Sequence, residues 1–332
     1  MVRDKLSWNS STGPSAYSAA IRFALHLYLY YGDTSVLVQH YGTMKRWVEH
    51  LQSIAQDGIV HAGLGDWCAP GSVPGNTPIP ITSTAIFYLD AVIMHKAAQN
   101  GQNGGRKGVR PPRRADTRFL QMENHRGHHS TGILGLRHLF WALSKYGHGD
   151  VAMTVLHQTD YPSIGHLFAL GATTLWEWWS EPDIEQQEGP RSCNHPMQGG
   201  FDAWFFSGIA GIRPSEDAPG FQRIVLMPHL LPGLQWVRAS YRSIRGLIVS
   251  EWRQGEEYLH WKIALPANTE ALVYLPTTDA NAVTESGQPL AGRTDVRVHG
   301  VERKHLVVHI GSGEYRFEVG RRVTDIREGY RR

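Results

Sequence analysis

The sequence predicts two consecutive architectures: stacked helix pairs over residues 1–211, then an antiparallel β-sandwich over 212–320, with a charged tail at 321–332 expected to fray. Three observations carry this. Residues 1–210 hold apolar positions near a 3.6-residue period, punctuated by glycine-rich loops. After Gly211 the pattern changes to short apolar/polar alternations separated by turn signals. Between them Pro214, Pro219 and Gly220 break the last helix.

In order, Ala16–Tyr31 reads as a helix rich in Ala, Leu and Tyr, stopped at Gly32-Asp33. Ser35–Ala55 repeats Val36, His40, Met44, Trp47, Val48 and Leu51 along one face. Thr82–Ala98 is the next apolar helix. Thr131–Tyr146 places Ile133, Leu136, Leu139, Phe140 and Leu143 together, with Ser130 or Thr131 as its cap and Gly147 as its stop. Asp150–Gln158, Ile164–Trp179 and Met197–Gly208 complete the series. Strands are expected at Arg223–Met227, Trp236–Ser243, Leu247–Arg253, Glu257–Ala264, Glu270–Tyr274, Val296–Val298, Leu306–Ile310 and Gly313–Val319. Pro228, Pro232-Gly233, Gly255-Glu256 and Pro266-Ala267-Asn268 supply the turns between them.

Composition narrows the function. Hydrophobic residues make up 41% and charged residues 19%, which suits a chain able to bury a sizeable core. A net charge of +3, with the basic residues mostly dispersed, argues against nucleic-acid binding. No apolar run reaches the ~18 residues of a membrane span. Met1–Trp8 shows no apolar signal region, and the compartment stays open. Cys68 and Cys193 form neither a disulfide framework nor a zinc site. No cofactor motif is present.

The chemistry gathers at Gly171-Ala-Thr-Thr-Leu-Trp-Glu-Trp-Trp179, where three tryptophans crowd Glu177. Aromatic faces pack against the C–H faces of a pyranose and exclude water, and a carboxylate beside them can serve as a general base. The same stretch reads equally as an aromatic core helix with Glu177 in solvent. Asp66-Trp67 falls in a turn between helices. It pairs a hydroxyl-binding carboxylate with a stacking ring, or else an N-cap with a packed tryptophan. His128 and His129 are adjacent and so point apart, and no third ligand stands out, which favours a non-metal role. His195 is suited to contact a sugar hydroxyl or to steer Glu177, or to be a satisfied structural histidine.

Taken together, several motifs resemble one family. They are Gly171-Ala-Thr-Thr-Leu-Trp-Glu177, Asn194-His195, Phe201…Trp204…Gly208-Ile-Ala-Gly-Ile212 and Pro219-Gly-Phe221…Met227-Pro228. Upstream lie Trp8, Tyr28…Tyr31-Gly-Asp33, Met44-Lys-Arg-Trp47, Gly65-Asp-Trp67 and His129-Ser-Thr-Gly-Ile-Leu-Gly135. In order and spacing these are similar to the bacterial α-L-rhamnosidases of glycoside hydrolase family 78.

The resemblance implies part of an (α/α)6 six-hairpin barrel followed by a C-terminal β-sandwich. It also implies inverting hydrolysis of terminal α-L-rhamnosyl bonds, with no cofactor and a rhamnose-containing glycan or glycoside as substrate. Inversion uses two carboxyl groups about 6.5–9.5 Å apart. Glu177 matches the general base. Trp8, Trp67 and Trp176 are expected to wall the sugar, with Asp66 and His195 contacting it. Two departures accompany the match. No segment matching the family's general acid occurs, so the chain is expected to be a fragment that is weakly active or inactive alone. Residues 100–116 are basic and helix-hostile, read as solvated linker rather than a nucleic-acid loop. An incomplete helix ring is expected to self-associate through its exposed faces. A non-catalytic carbohydrate-binding module and another (α/α)6 glycosidase or phosphorylase are the competing readings.

Overall fold

The computed structural model describes residues 13–63, 65–71, 77–100, 127–179 and 192–320. Trp8, the loop residues 72–76 and the basic stretch at 101–116 lie outside them. The chain divides into two compact units. One comprises Met1–Leu27, Thr34–His138 and Thr154–Gly200; the other comprises Tyr28–Asp33, Leu139–Met153 and Phe201–Arg332.

In the first unit, α1 (Gly13–Tyr31), α2 (Ser35–Ile54) and α3 (Ile79–Asn100) are the long helices. The periodic face of α2, namely Met44, Trp47, Val48 and Leu51, is buried with Ile21 and Ala24 of α1 and Phe87, Ala91 and Met94 of α3. A polar link runs through this apolar cluster. Trp47 Nε1 donates to Ser18 Oγ at 3.1 Å, and Ser18 Oγ donates to Asp90 Oδ2. Burial pushes the Asp90 carboxyl up to about 7, against the pull of Ser18 and Arg22.

Helix α4 (Ile133–Lys145) begins in this unit, α5 (Gly149–Leu156) follows, and α6 (Ile164–Ala169) is short. The helix expected over Ile164–Trp179 therefore stops ten residues early. The cause is Gly171, whose φ of +85° is left-handed. Gly171 N donates to Phe168 O and Ala172 N to Leu167 O, which satisfies the last carbonyls and turns the chain out of the helix. Residues 171–179 are irregular. Likewise Met197–Gly208 is no single α-helix: a 3₁₀ turn at Pro196–Phe201 gives way to a π turn at Phe205–Ile209.

In the second unit, eleven strands among the described residues form two sheets. The first orders β1 (Ile212–Pro214), β2 (Arg223–Leu226), β6 (Glu270–Leu275), β10 (His305–Ile310) and β9 (Val296–Glu302). The second orders β3 (Trp236–Ser243), β4 (Gly246–Gln254), β5 (Tyr258–Leu265), β11 (Gly313–Gly320), β7 (Val283–Glu285) and β8 (Gln288–Pro289). All pairs are antiparallel except β2 with β6, which run parallel. The inward rows are apolar. Trp252, Trp261 and Phe317 stand side by side across β4, β5 and β11, each at most 2% exposed. Trp252 Nε1 donates to Ile209 O and Trp261 Nε1 to Ser250 Oγ, so neither indole is buried without a partner. Nearby, Phe140 stacks on Trp204, whose Nε1 donates to Ser144 Oγ.

Candidate active site

The site is built from three loops of the first unit. Its foundation is Asp66. Both carboxylate oxygens accept backbone N–H groups at the start of α4: Gly132 at 2.7 Å, Leu134 at 2.9 Å and Gly135 at 3.2 Å, besides Trp67 N at 3.1 Å. Ile133 N donates to Trp67 O at 2.8 Å. The first-turn N–H groups that a helix leaves unpaired are thus all satisfied from one remote turn. That contact demands glycine at two positions. A Cβ on Gly132 would lie 2.1 Å from Trp67 O, and one on Gly135 would lie 2.6 Å from Asp66 Oδ2.

This placement corrects an expectation. Asp66 is 1% exposed with every donor coming from the backbone, so it cannot offer its oxygens to a sugar hydroxyl. It is the anchor that fixes Trp67 and Cys68. Burial pushes its carboxyl up, and the four N–H groups pull against that. The cap of α4 is therefore Asp66 rather than Ser130 or Thr131. A charged acceptor at the positive end of a helix outcompetes a local hydroxyl.

A second pair of segments runs alongside. Glu177 N donates to Ser192 O, His195 N to Leu175 O, and Thr174 Oγ1 to Cys193 O. Gln198 Nε2 donates to Glu177 O at 2.9 Å. These bonds hold Glu177 and His195 side by side. His195 Nε2 lies 3.5 Å from Glu177 Oε1, with both side chains about a fifth exposed. Trp67 Nε1 reaches the same oxygen at 3.5 Å and Cys68 Sγ at 3.7 Å. Three side chains from two loops thus converge on Oε1, and Oε2 has no partner among the described residues. Burial and the neighbouring Glu177 carboxylate push the Cys68 thiol up, so it stays protonated and serves as a donor.

The expected aromatic wall is only partly present. Trp67, 39% exposed, faces the carboxylate. Trp176 is half-buried. Trp178 and Trp179 turn away into the core: Trp178 packs with Cys68 and Ile133, while Trp179 meets the edge of His129 at 4.4 Å and donates to Cys68 O. Burial holds His129 down to about 4, so it is a neutral packing group. His128 turns instead to Pro162 O and Asp160. Among the described residues no group of three His, Cys, Asp or Glu is placed to hold a metal ion. Two contributors were missed by sequence reasoning, Cys68 and Gln198. Cys68 directly follows Asp66-Trp67, but its left-handed φ of +55° leaves no trace in a sequence.

A helical unit carrying a cradled carboxylate, joined to a β-sandwich, defines the class of a six-hairpin glycosidase with a C-terminal domain. Residues 5–104 and 111–209 match the bacterial alpha-L-rhamnosidase 6 hairpin glycosidase domain, and residues 211–289 match the bacterial alpha-L-rhamnosidase C-terminal domain. The chain belongs to the bacterial α-L-rhamnosidase family. An alpha-L-rhamnosidase of Formosa agariphila is 27% identical over 89% of this chain and 36% of its own length. One from Streptomyces avermitilis is 29% identical over 88% of this chain and 32% of its own. The chain spans about a third of the length of these curated relatives. Among solved structures, the alpha-L-rhamnosidase from Dictyoglumus thermophilum superimposes with a TM-score of 0.77 at 29% identity, covering 93% of this chain and 40% of that one. The Streptomyces avermitilis alpha-L-rhamnosidase complexed with L-rhamnose gives 0.73 at 26%, covering 91% and 32%.

Proposed function

We propose that this chain supplies the general-base side of an inverting α-L-rhamnosidase, with Glu177 as the base. The observation that carries the reading is the convergence of Trp67, Cys68 and His195 on Glu177 Oε1. A carboxylate fixed through one oxygen presents the other in a set direction, as removing a proton from an attacking water requires. Trp67 stacks against the sugar, His195 contacts a hydroxyl and Trp176 extends the wall, while Trp8 lies outside the described residues. The solved relative complexed with L-rhamnose supports this sugar as the ligand. Asp66 takes neither a binding nor a proton-donating role, since its oxygens are committed to α4.

No residue of the 332 is assigned to the general acid. A polypeptide limited to these residues is therefore expected to turn over an aryl α-L-rhamnoside weakly or not at all, because one acid–base group is worth about 10²–10⁴-fold. We place the boundary between catalytic and C-terminal domains at residues 211–212. Phe23, Val38 and Phe168 are exposed on the helical unit and support self-association of this polypeptide.

The test is calorimetric titration of the 332-residue polypeptide with L-rhamnose. Binding that Trp67→Ala weakens is expected. A titration without heat, or one indifferent to that substitution, contradicts the site. Full turnover by this polypeptide alone would contradict the assignment of roles.

A further inference from the structure

The outer face of the six-stranded sheet is organised as a second ligand surface. Strand register sets two parallel rows across β3, β4, β5 and β11. One row reads Trp236, Arg253, His260, Glu318; the other reads Arg238, Glu251, Lys262, Arg316. Cross-strand partners in an antiparallel sheet share a face, so these eight side chains project together. Behind them lies the buried row of Trp252, Trp261 and Phe317, which makes the platform rigid.

Trp236 is 61% exposed at one end of the first row. A single exposed tryptophan is unremarkable in itself. Here it borders a concavity of about 410 Å³ whose other side chains include Arg238, Glu251, Arg253, His260 and Lys262. Charge on the face is unbalanced: Arg238 pairs with Glu251 at 3.7 Å and His260 with Glu318 at 3.4 Å, while Arg253 and Lys262 have no ionic partner among the described residues.

We infer that this face is a glycan-binding site for an oligosaccharide bearing carboxylate groups, separate from the Glu177 site. The apolar face of a pyranose stacks on the Trp236 indole, and Arg253 and Lys262 neutralise uronate carboxylates of the neighbouring sugars. A rigid sheet with outward side chains needs little ordering on binding, which favours a shallow but specific site. The occupant is acidic because the unpaired charges are cationic, and it is a sugar because an exposed indole stands among hydrogen-bonding side chains on an open face.

The experiment is isothermal titration of the full chain with hexagalacturonate and, in parallel, with maltohexaose. Saturable binding of the acidic hexamer is expected, weakening as salt is raised. Trp236→Ala is expected to lower affinity about tenfold or more, in line with exposed aromatic anchors at other interfaces. The Arg253→Gln/Lys262→Gln variant is expected to lower it further and flatten the salt dependence. All three positions lie on the outer face, and circular dichroism of each variant confirms that the sandwich is retained. No binding, or equal binding to the Trp236→Ala variant, overturns the proposal. Equal affinity for maltohexaose overturns the acidic assignment. Binding lost in Glu177→Gln but kept in Trp236→Ala moves the ligand to the helical unit and also overturns it.

Discussion

The helical unit and the sandwich solve the problem of a buried polar group in opposite ways. In the sandwich, an indole N–H finds its partner on the adjacent strand: Trp261 on Ser250. That pairing follows from strand register. In the helical unit the decisive bonds reach across 66 to 110 positions of sequence, from Asp66 to Gly132 and from Trp67 to Glu177. The contrast teaches that a scaffold can rest on short-range pattern while the geometry of the candidate site rests on a few distant contacts, each of which must be satisfied.

Substitutions in the two units should therefore fail differently. The largest loss is expected for Trp252→Ala, about 3–5 kcal/mol for a buried aromatic in a packed core. Hydrogen exchange read peptide by peptide should show protection falling throughout β4, β5 and β11. Next comes Gly132→Ala, at about 3 kcal/mol, because the new methyl must displace the Trp67 carbonyl. Here the loss should be confined to residues 65–68 and the first turn of α4, with the strands unaffected. Uniform loss of protection in both variants would erase the distinction.

A subtler contrast lies in pH. The Asp90 carboxyl sits at about 7 in the fold against an ordinary 3.8. The folded chain then binds more protons than the unfolded chain between those values, so this group makes stability fall as pH rises from about 4 to about 7. Urea unfolding across that range should show the decline, and Asp90→Asn should flatten it. A slope that survives the substitution would assign it elsewhere. The smallest effect is expected at Gly171, where alanine meets no neighbour but must adopt a left-handed backbone, at about 1 kcal/mol. Thermal melts of Gly171→Ala should show a shift of a few degrees, and no shift would mean that the turn after α6 carries no strain.

Much of the architecture was legible in the sequence, for reasons the same contrast explains. The strand at Trp236–Ser243 was bounded to the residue, since alternation there reports directly which face is buried. Helices α2 and α5 were bounded within two residues. Short strands with little pattern, β1, β7 and β8, escaped, as did the parallel pairing of β2 with β6, which no local signal encodes. At the site, Glu177, Trp67 and His195 were picked out together and the fold brings them together. The tryptophans beside Glu177 misled: their crowding around one carboxylate suggested a wall, whereas Gly171 ends the helix and Trp178 and Trp179 turn inward. Asp66 was read as a hydroxyl-binding carboxylate or as an N-cap, and it is a cap, but of a helix 66 positions further on. Its role is set by the N-terminus of α4, and nothing adjacent in the chain announces that encounter.

The most direct test of the central claim is the rate of Glu177→Gln in a form of the protein that hydrolyses an aryl α-L-rhamnoside. Glutamine keeps the size of the side chain and its place beside Trp67, Cys68 and His195 but cannot accept the proton. The account predicts that kcat falls by about 10²–10⁴-fold with KM little changed. An unaltered kcat would contradict it.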